Sequence, residues 1–342
     1  MNRMVGSIIL VLLLVGLVTG CEEGSMLSTQ SSGSTSEIMV VTKSDEVWKG
    51  SLGDTIRAYF AQNTDGLPQP EPLFDLMHAP LGQFNKNQIF KQHHSVLIAD
   101  IDPSYNKPEV VFSNDVWSRP QLVLTIKAGS DTAFYSALNH YFTTIEKKFR
   151  DSQLARTLNF YRVSQDSKTE ELLKKTFGIN CILPSSFTMA ANNADLIWLR
   201  QSIHRTKQDT EIGLLFYSVD YNDTAQLSQK SLMALRDSIG KRFIFGPTQG
   251  SYMFTEEGVI PVKSYIMKST SSPYVRVSKG LWAITHDFMG GPFVQYAFLS
   301  PDKKKIICAD GYVYNPNGEK RNMMVQIESV LRSIEFVTSE KK

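Results

Sequence analysis

The amino-acid sequence predicts an α+β protein of two related domains, with largely antiparallel sheets and helices packed against one face of each. Three observations carry that expectation. Short apolar runs alternate with period two, most cleanly at Leu122, Leu124, Ile126 and Ala128. A few longer stretches show a helical stripe instead, foremost Phe134, Leu138, Tyr141, Phe142, Ile145 and Phe149. Finally, Leu214–Ala225 echoes Leu122–Ala133: a strand, a polar turn, Asp-Thr-Ala and a helix, as a tandem duplication would produce.

The first elements concern targeting. Arg3 precedes an apolar run, Ile8–Val15, and Val18-Thr19-Gly20-Cys21 resembles a bacterial lipobox. The whole apolar stretch, Val5–Val18, is short of the ~20 residues that a spanning helix needs. Residues 1–20 are therefore expected to be a lipoprotein signal peptide, with Cys21 acylated in the cell envelope. A single acyl chain holds a protein only marginally, so a stable anchor implies more than one, palmitate among them. The expected location is the outer membrane, on its periplasmic or surface face, with membrane lipid as the partner of Cys21. Glu22 to Ser36 is rich in Ser, Thr and Gly, so residues 21–37 are expected to be a flexible tether.

An N-terminal domain over 38–165 follows. Ile38–Thr42 predicts a strand. Ser44 caps a helix carrying Trp48, Leu52, Ile56, Tyr59 and Phe60, with Asp45 and Glu46 at its positive end. Pro68, Pro70 and Pro72 stop it and lead into an extended stretch. His93–Ile101 and Leu122–Ala128 predict strands, and the Phe134 stripe the main helix. In a C-terminal domain over 166–342, strands are predicted at 178–183, 187–191, 195–202, 211–220, 258–267, 274–286, 293–299 and 305–314. Asn192-Asn193 and Asn315-Pro316-Asn317-Gly318 read as turns, and Met324, Ile327, Val330, Leu331 and Ile334 as a last helix.

Composition narrows function. Of 342 residues, 42% are apolar and 20% charged, enough for packed cores. Lys and Arg number 36 against 34 Asp and Glu, and they are scattered, which argues against a nucleic-acid partner. With Cys21 acylated, only Cys181 and Cys308 remain. Both lie in apolar runs and read as buried thiols, although an oxidising compartment would allow a disulfide between them.

No motif gives a complete reaction or a cofactor site. The six histidines make no metal spacing, and His93 and His94 on one strand would face opposite ways. Asp100–Asn106 opens like a calcium loop but has Tyr105 where glycine is required. Ser300-Pro301-Asp302-Lys303 matches S-x-x-K without its partner motifs. Gly246–Gly250 lacks the Gly-Lys-Ser/Thr end of a phosphate loop. The most distinctive segment is Asp287-Phe288-Met289-Gly290-Gly291-Pro292-Phe293. With Trp282 and Tyr296, residues Asp287, Gly290, Gly291 and Phe293 form a candidate aromatic-walled ligand pocket. The alternative is a plain hairpin.

Gly66-Leu67-Pro68-Gln69-Pro70-Glu71-Pro72-Leu73-Phe74-Asp75, Trp282 with Asp287–Phe293, and Gly311-Tyr312-Val313-Tyr314-Asn315-Pro316 resemble the uncharacterised Bacteroidota lipoproteins grouped only as a domain of unknown function. That resemblance implies an envelope lipoprotein and transfers no catalytic residue. The expected role is a non-enzymatic module that binds a ligand or an envelope protein partner. The second expectation is a cell-envelope hydrolase near the Asp287–Phe293 segment, served by Asp220, Asp223, His286 and Asp287. It requires a histidine and a carboxylate within reach in one pocket.

Overall fold

A computed structural model describes residues 29–193, 196–205 and 208–337. The signal segment and Cys21 lie outside the described residues. The structure is α+β, with a five-stranded and an eight-stranded sheet in two domains that differ in their strand pairing, and a small two-stranded sheet in the domain of the larger one.

The N-terminal domain runs β1 (Glu37–Thr42), α1 (Asp45–Lys49), α2 (Ser51–Phe60), β2 (Asp75–Pro80), α3 (Leu81–Lys86), α4 (Gln88–Lys91), β3 (Ser95–Ile101), β4 (Glu109–Asn114), β5 (Leu122–Ala128) and α5 (Asp131–Arg162). Its sheet has the order β2-β1-β3-β5-β4. Only β4 is antiparallel; the other pairings are parallel, with helices connecting β1 to β2 and β2 to β3, and β4 carrying the chain back between β3 and β5. Alternation along β1 divides two cores. Ile38 and Val40 face α2 and α5, against Ile56, Phe60, Phe134 and Phe149. Met39 and Val41 face Phe84 of α3, which meets Trp117 edge-on. Helices thus cover both faces of this sheet, as its parallel pairings require.

The C-terminal domain contains α6 (Ser167–Phe177), β6 (Ile179–Asn180), β7 (Thr188–Asn192), β8 (Leu196–Arg205), β9 (Gln208–Asp220), a 3-10 turn (Thr224–Leu227) and α7 (Gln229–Phe243). It continues through β10 (Met253–Glu256), β11 (Lys263–Met267), β12 (Val275–Ile284), β13 (Gly290–Leu299), β14 (Lys305–Tyr314), α8 (Arg321–Arg332) and β15 (Glu335–Phe336). Its large sheet is antiparallel throughout, β10-β12-β13-β14-β9-β8-β7, with β11 also on β12. Here too helices cover both faces. α6 and α8 pack on Phe216, Val277, Tyr296 and Ile307; α7 packs on Tyr217, Trp282, Ala297 and Cys308. Gly311 lets α8 approach: a Cβ there would meet Ile327 Cγ2 at 2.2 Å.

Two expectations change in detail. The Leu122 and Leu214 runs both form a strand followed by a helix. However, β5 lies between parallel β3 and antiparallel β4, whereas both neighbours of β9 are antiparallel. The echo is one strand–helix unit rather than a repeated domain. Part of the segment expected to be a tether, from Thr29 on, is bound to the domain: Arg119 N–H donates to Thr29 O at 2.9 Å, and Ser32 N–H to Gln92 O at 2.9 Å. Serine and threonine richness marked polarity there, not freedom.

The proline-rich Gly66–Pro72 stretch joins the domains. Glu71, nearly buried, accepts from the backbone N–H groups of Lys320 and Arg321, each at 2.8 Å. A carboxylate of one domain therefore caps the positive end of α8 in the other. Lys320 Nζ donates to Gln69 Oε1 at 2.5 Å, and Arg321 Nη2 to Asp75 Oδ2 at 2.5 Å.

Candidate functional site

α5 and α8 lie side by side across the domain boundary, and beside them opens a cleft of ≈ 490 Å³ lined by both domains. That volume is in the range of small-molecule sites. Its apolar wall includes Leu67, Leu73 and Leu154 from one side and Pro292, Phe293 and Met324 from the other.

The polar wall is ion-paired across the boundary. Arg150 of α5 reaches Glu328 of α8 at 3.5 Å, and Asp151 pairs with Arg332 at 3.0 Å. Lys279 of β12 donates to Glu328 at 2.6 Å. Burial would raise the Glu328 carboxyl, but Lys279, Arg150 and Arg332 outweigh it and hold it below the usual range. Burial likewise lowers the Lys279 amine, against the pull of Glu328. Close behind lies Tyr296, whose buried hydroxyl has no hydrogen-bond partner; burial and the Glu328 charge push it well up. Ser36 sits at the floor, accepting from Gln153 Nε2 at 2.5 Å and donating to Asn322 Oδ1 at 2.5 Å.

The Asp287–Phe293 segment is the β12–β13 hairpin turn. Ile284 N–H donates to Met289 O at 2.9 Å, Asp287 Oδ1 accepts from Met289 N–H at 2.9 Å, and His286 takes a φ of 60°. Gly290 and Gly291 pair with Ala283 and Trp282 in the ladder. Gly291 is required by a close approach: a Cβ would lie 2.0 Å from Val313 O, the acceptor of the Trp282 indole N–H at 3.2 Å. Trp282 is therefore spent in the α7-side core, while Tyr296 faces the α8-side core. The predicted aromatic-walled pocket does not form. Of its six residues only Phe293 lines the interdomain cleft.

The hydrolase set is dispersed. Asp220 pairs with Lys305 at one end of the sheet, and Asp223 caps the following 3-10 turn. His286 and Asp287 lie beyond the opposite end, since Lys305 begins β14 while the turn joins the far ends of β12 and β13. Cys181 and Cys308 are unpaired and sit in cores on opposite faces, so no disulfide joins them. Burial pushes the Cys181 thiol up to about 12, and it donates to Val330 O at 3.7 Å. Among the described residues no group of three or more His, Cys, Asp or Glu could hold a metal.

Two geometries escaped the sequence. His93 and His94 precede β3 instead of lying in it, so their rings are 4.9 Å apart. His93 pairs with Glu37 at 2.6 Å, whereas His94 Nε2 has no partner. At the other end of the sheet, Thr42 Oγ1 lies 2.9 Å from His78 Nε2, and Asp45 lies 3.5 Å from His78 Nδ1. This hydroxyl–imidazole–carboxylate row is structural. Thr42 is fully buried and its hydroxyl already donates to Ser44 O, so it offers no accessible nucleophile.

Residues 31–162 match the family model described as Domain of unknown function (DUF8532), and residues 165–333 match Domain of unknown function (DUF4837). The chain thus joins two domains of uncharacterised families, with the change falling between α5 and α6. No curated protein matches it.

Proposed function

We propose that this chain, two domains of unknown function in tandem, is a lipid-anchored binding module of the bacterial cell envelope. An amphipathic small molecule would occupy the cleft between its domains. The carrying observation is that cleft of ≈ 490 Å³, with an apolar wall on one side and cross-domain ion pairs on the other. An apolar pocket with a few convergent polar groups is where a ligand gains both burial and orientation. The envelope location rests on the Cys21 lipobox reading.

The hydrolase alternative has lost its geometric basis: Asp220 and Asp223 lie at the opposite end of the sheet from His286, and Asp287 beside it accepts from Met289 N–H within the turn. Glu328, Arg150 and Lys279 hold one another in ion pairs; none stands as a free base or nucleophile.

Binding of 1-anilinonaphthalene-8-sulfonate to the folded chain provides the test. Val325, on the cleft side of α8, is half-buried and lines the opening. Probe fluorescence should rise on the wild type, and Val325→Trp should weaken binding about tenfold without changing the unfolding midpoint. Equal binding by the two proteins would contradict the reading.

A further inference from the structure

We propose that the end of the N-terminal domain where Thr29 joins it is a contact surface for an anionic lipid bilayer. The proposal rests on the acylation of Cys21 and goes beyond the cleft reading, which it does not require.

The chain becomes fixed to the domain close to Cys21 in sequence. Thr29, Gln30, Ser31 and Ser32 are bonded to Arg119 and Gln92, at the amino-terminal ends of β3 and β5. Residues 22–28 alone then separate an acylated Cys21 from this fixed point, a reach of at most ~25 Å. Tethering that short keeps this end of the domain near the lipid headgroups.

At that end, Ile89 of α4 is 71% exposed and Val116 of the β4–β5 loop is 46% exposed. Basic groups accompany them: Lys86 is exposed, Lys91 half-buried, and Arg119 exposed while paired with Asp115 at 2.8 Å. The loop and α4 are joined directly, since Gln121 Nε2 donates to Lys91 O at 2.7 Å and Ser118 Oγ to Gln92 O at 3.1 Å. Exposed aliphatic side chains beside lysine and arginine fit the headgroup–acyl boundary of an anionic leaflet. The patch and the chain's point of attachment share one hydrogen-bonded loop cluster, which singles out the bilayer from other occupants.

Depth-dependent fluorescence quenching tests this on the full acylated chain, reconstituted in vesicles of phosphatidylethanolamine and phosphatidylglycerol with nitroxide-bearing lipid. Cys181 and Cys308 are buried, so a thiol-reactive fluorophore can be placed by Ile89→Cys, Val116→Cys or Ser104→Cys. Ser104 is exposed and follows the carboxyl end of β3, ~20 Å from its start. Labels at 89 and 116 should be quenched at least about threefold more than the label at 104, and Lys86→Glu with Arg119→Glu should abolish the difference. Equal quenching at all three positions would overturn the proposal, as would strongest quenching at 104. Vesicle-independent dimers crosslinked through position 89 would assign the patch to a second copy instead. Failure of the unlabelled chain to float with vesicles would remove the anchor itself, and with it this proposal, leaving the cleft reading untouched.

Discussion

The two domains share a class and a joint, yet they bury charge in opposite ways. The N-terminal domain encloses His94, which lacks a partner on Nε2. Burial first, then Arg156 and His93, lowers it to about 3. The C-terminal domain encloses Asp310, bonded to Arg236 at 2.7 Å, and burial raises its carboxyl to about 6 despite that partner. The contrast teaches that a buried titratable group answers to its whole surroundings, not to its nearest neighbour. It also sets the direction of acid response. His94 binds a proton less readily folded than unfolded, so its contribution is full above its ordinary pKa of 6.5 and declines as pH falls toward 3. Asp310 binds one more readily folded, so its contribution is full below 3.8 and declines as pH rises through about 6.

The largest expected effect breaks the C-terminal side of the comparison. Arg236 is buried, its guanidinium lying 3.8 Å over the Phe293 ring and bonded to Asp310 and Thr255. Arg236→Ala strands a buried carboxylate and should cost about 3–5 kcal/mol in urea unfolding at pH 7. A loss below about 1 kcal/mol would mean that Asp310 is already neutral there.

Next comes the joint. Glu71→Ala removes two charge-assisted bonds and uncovers the start of α8, for an expected loss of about 2–3 kcal/mol. Limited proteolysis should then cut first near Gly66–Pro72. Cleavage unchanged from wild type would show that the strap is not what holds the domains together.

The histidine sharpens the pH contrast. Between pH 6.5 and 4, His94→Gln should remove a destabilisation on acidification whose limiting slope is about 1.4 kcal/mol per pH unit. The variant should then lose less stability than the wild type as pH falls through 6, with the Asp310 response opposed by the lowered His78 and Glu328. A variant whose pH profile parallels the wild type would dissociate His94 from the acid response. The smallest effect is expected at Lys263, paired with Asp65 at 2.9 Å across the cleft mouth with both side chains mostly in solvent. Lys263→Ala should change stability by less than about 0.5 kcal/mol.

Legibility in the sequence followed locality. Leu122–Ala128 and Lys305–Tyr314 were readable because a half-buried or buried strand writes its pattern into consecutive residues. The sequence pattern implies a helix ahead of the C-terminal strands but does not bound it, although Asp166 caps α6 and Gly178 ends it in the left-handed region, since its apolar positions are few. The parallel pairing of β1, β2 and β3 was hidden because pairing direction depends on where crossovers pass. The Asp287–Phe293 segment is distinctive by composition, and its glycines serve the turn and the Trp282–Val313 approach. Conversely, the cleft is built from Leu67, Arg150, Lys279 and Glu328, which lie far apart in sequence and carry no local mark. Only the Gly66–Asp75 stretch hinted at it, and its function as a cross-domain cap depends on α8, some 250 residues later.

Hydrogen exchange with and without the amphipathic probe tests the cleft most directly. The account predicts added protection in Glu146–Leu154 of α5 and Arg321–Arg332 of α8, with the turn at His286–Gly291 unchanged. Protection confined to that turn, or probe binding that leaves α5 and α8 unprotected, would contradict it.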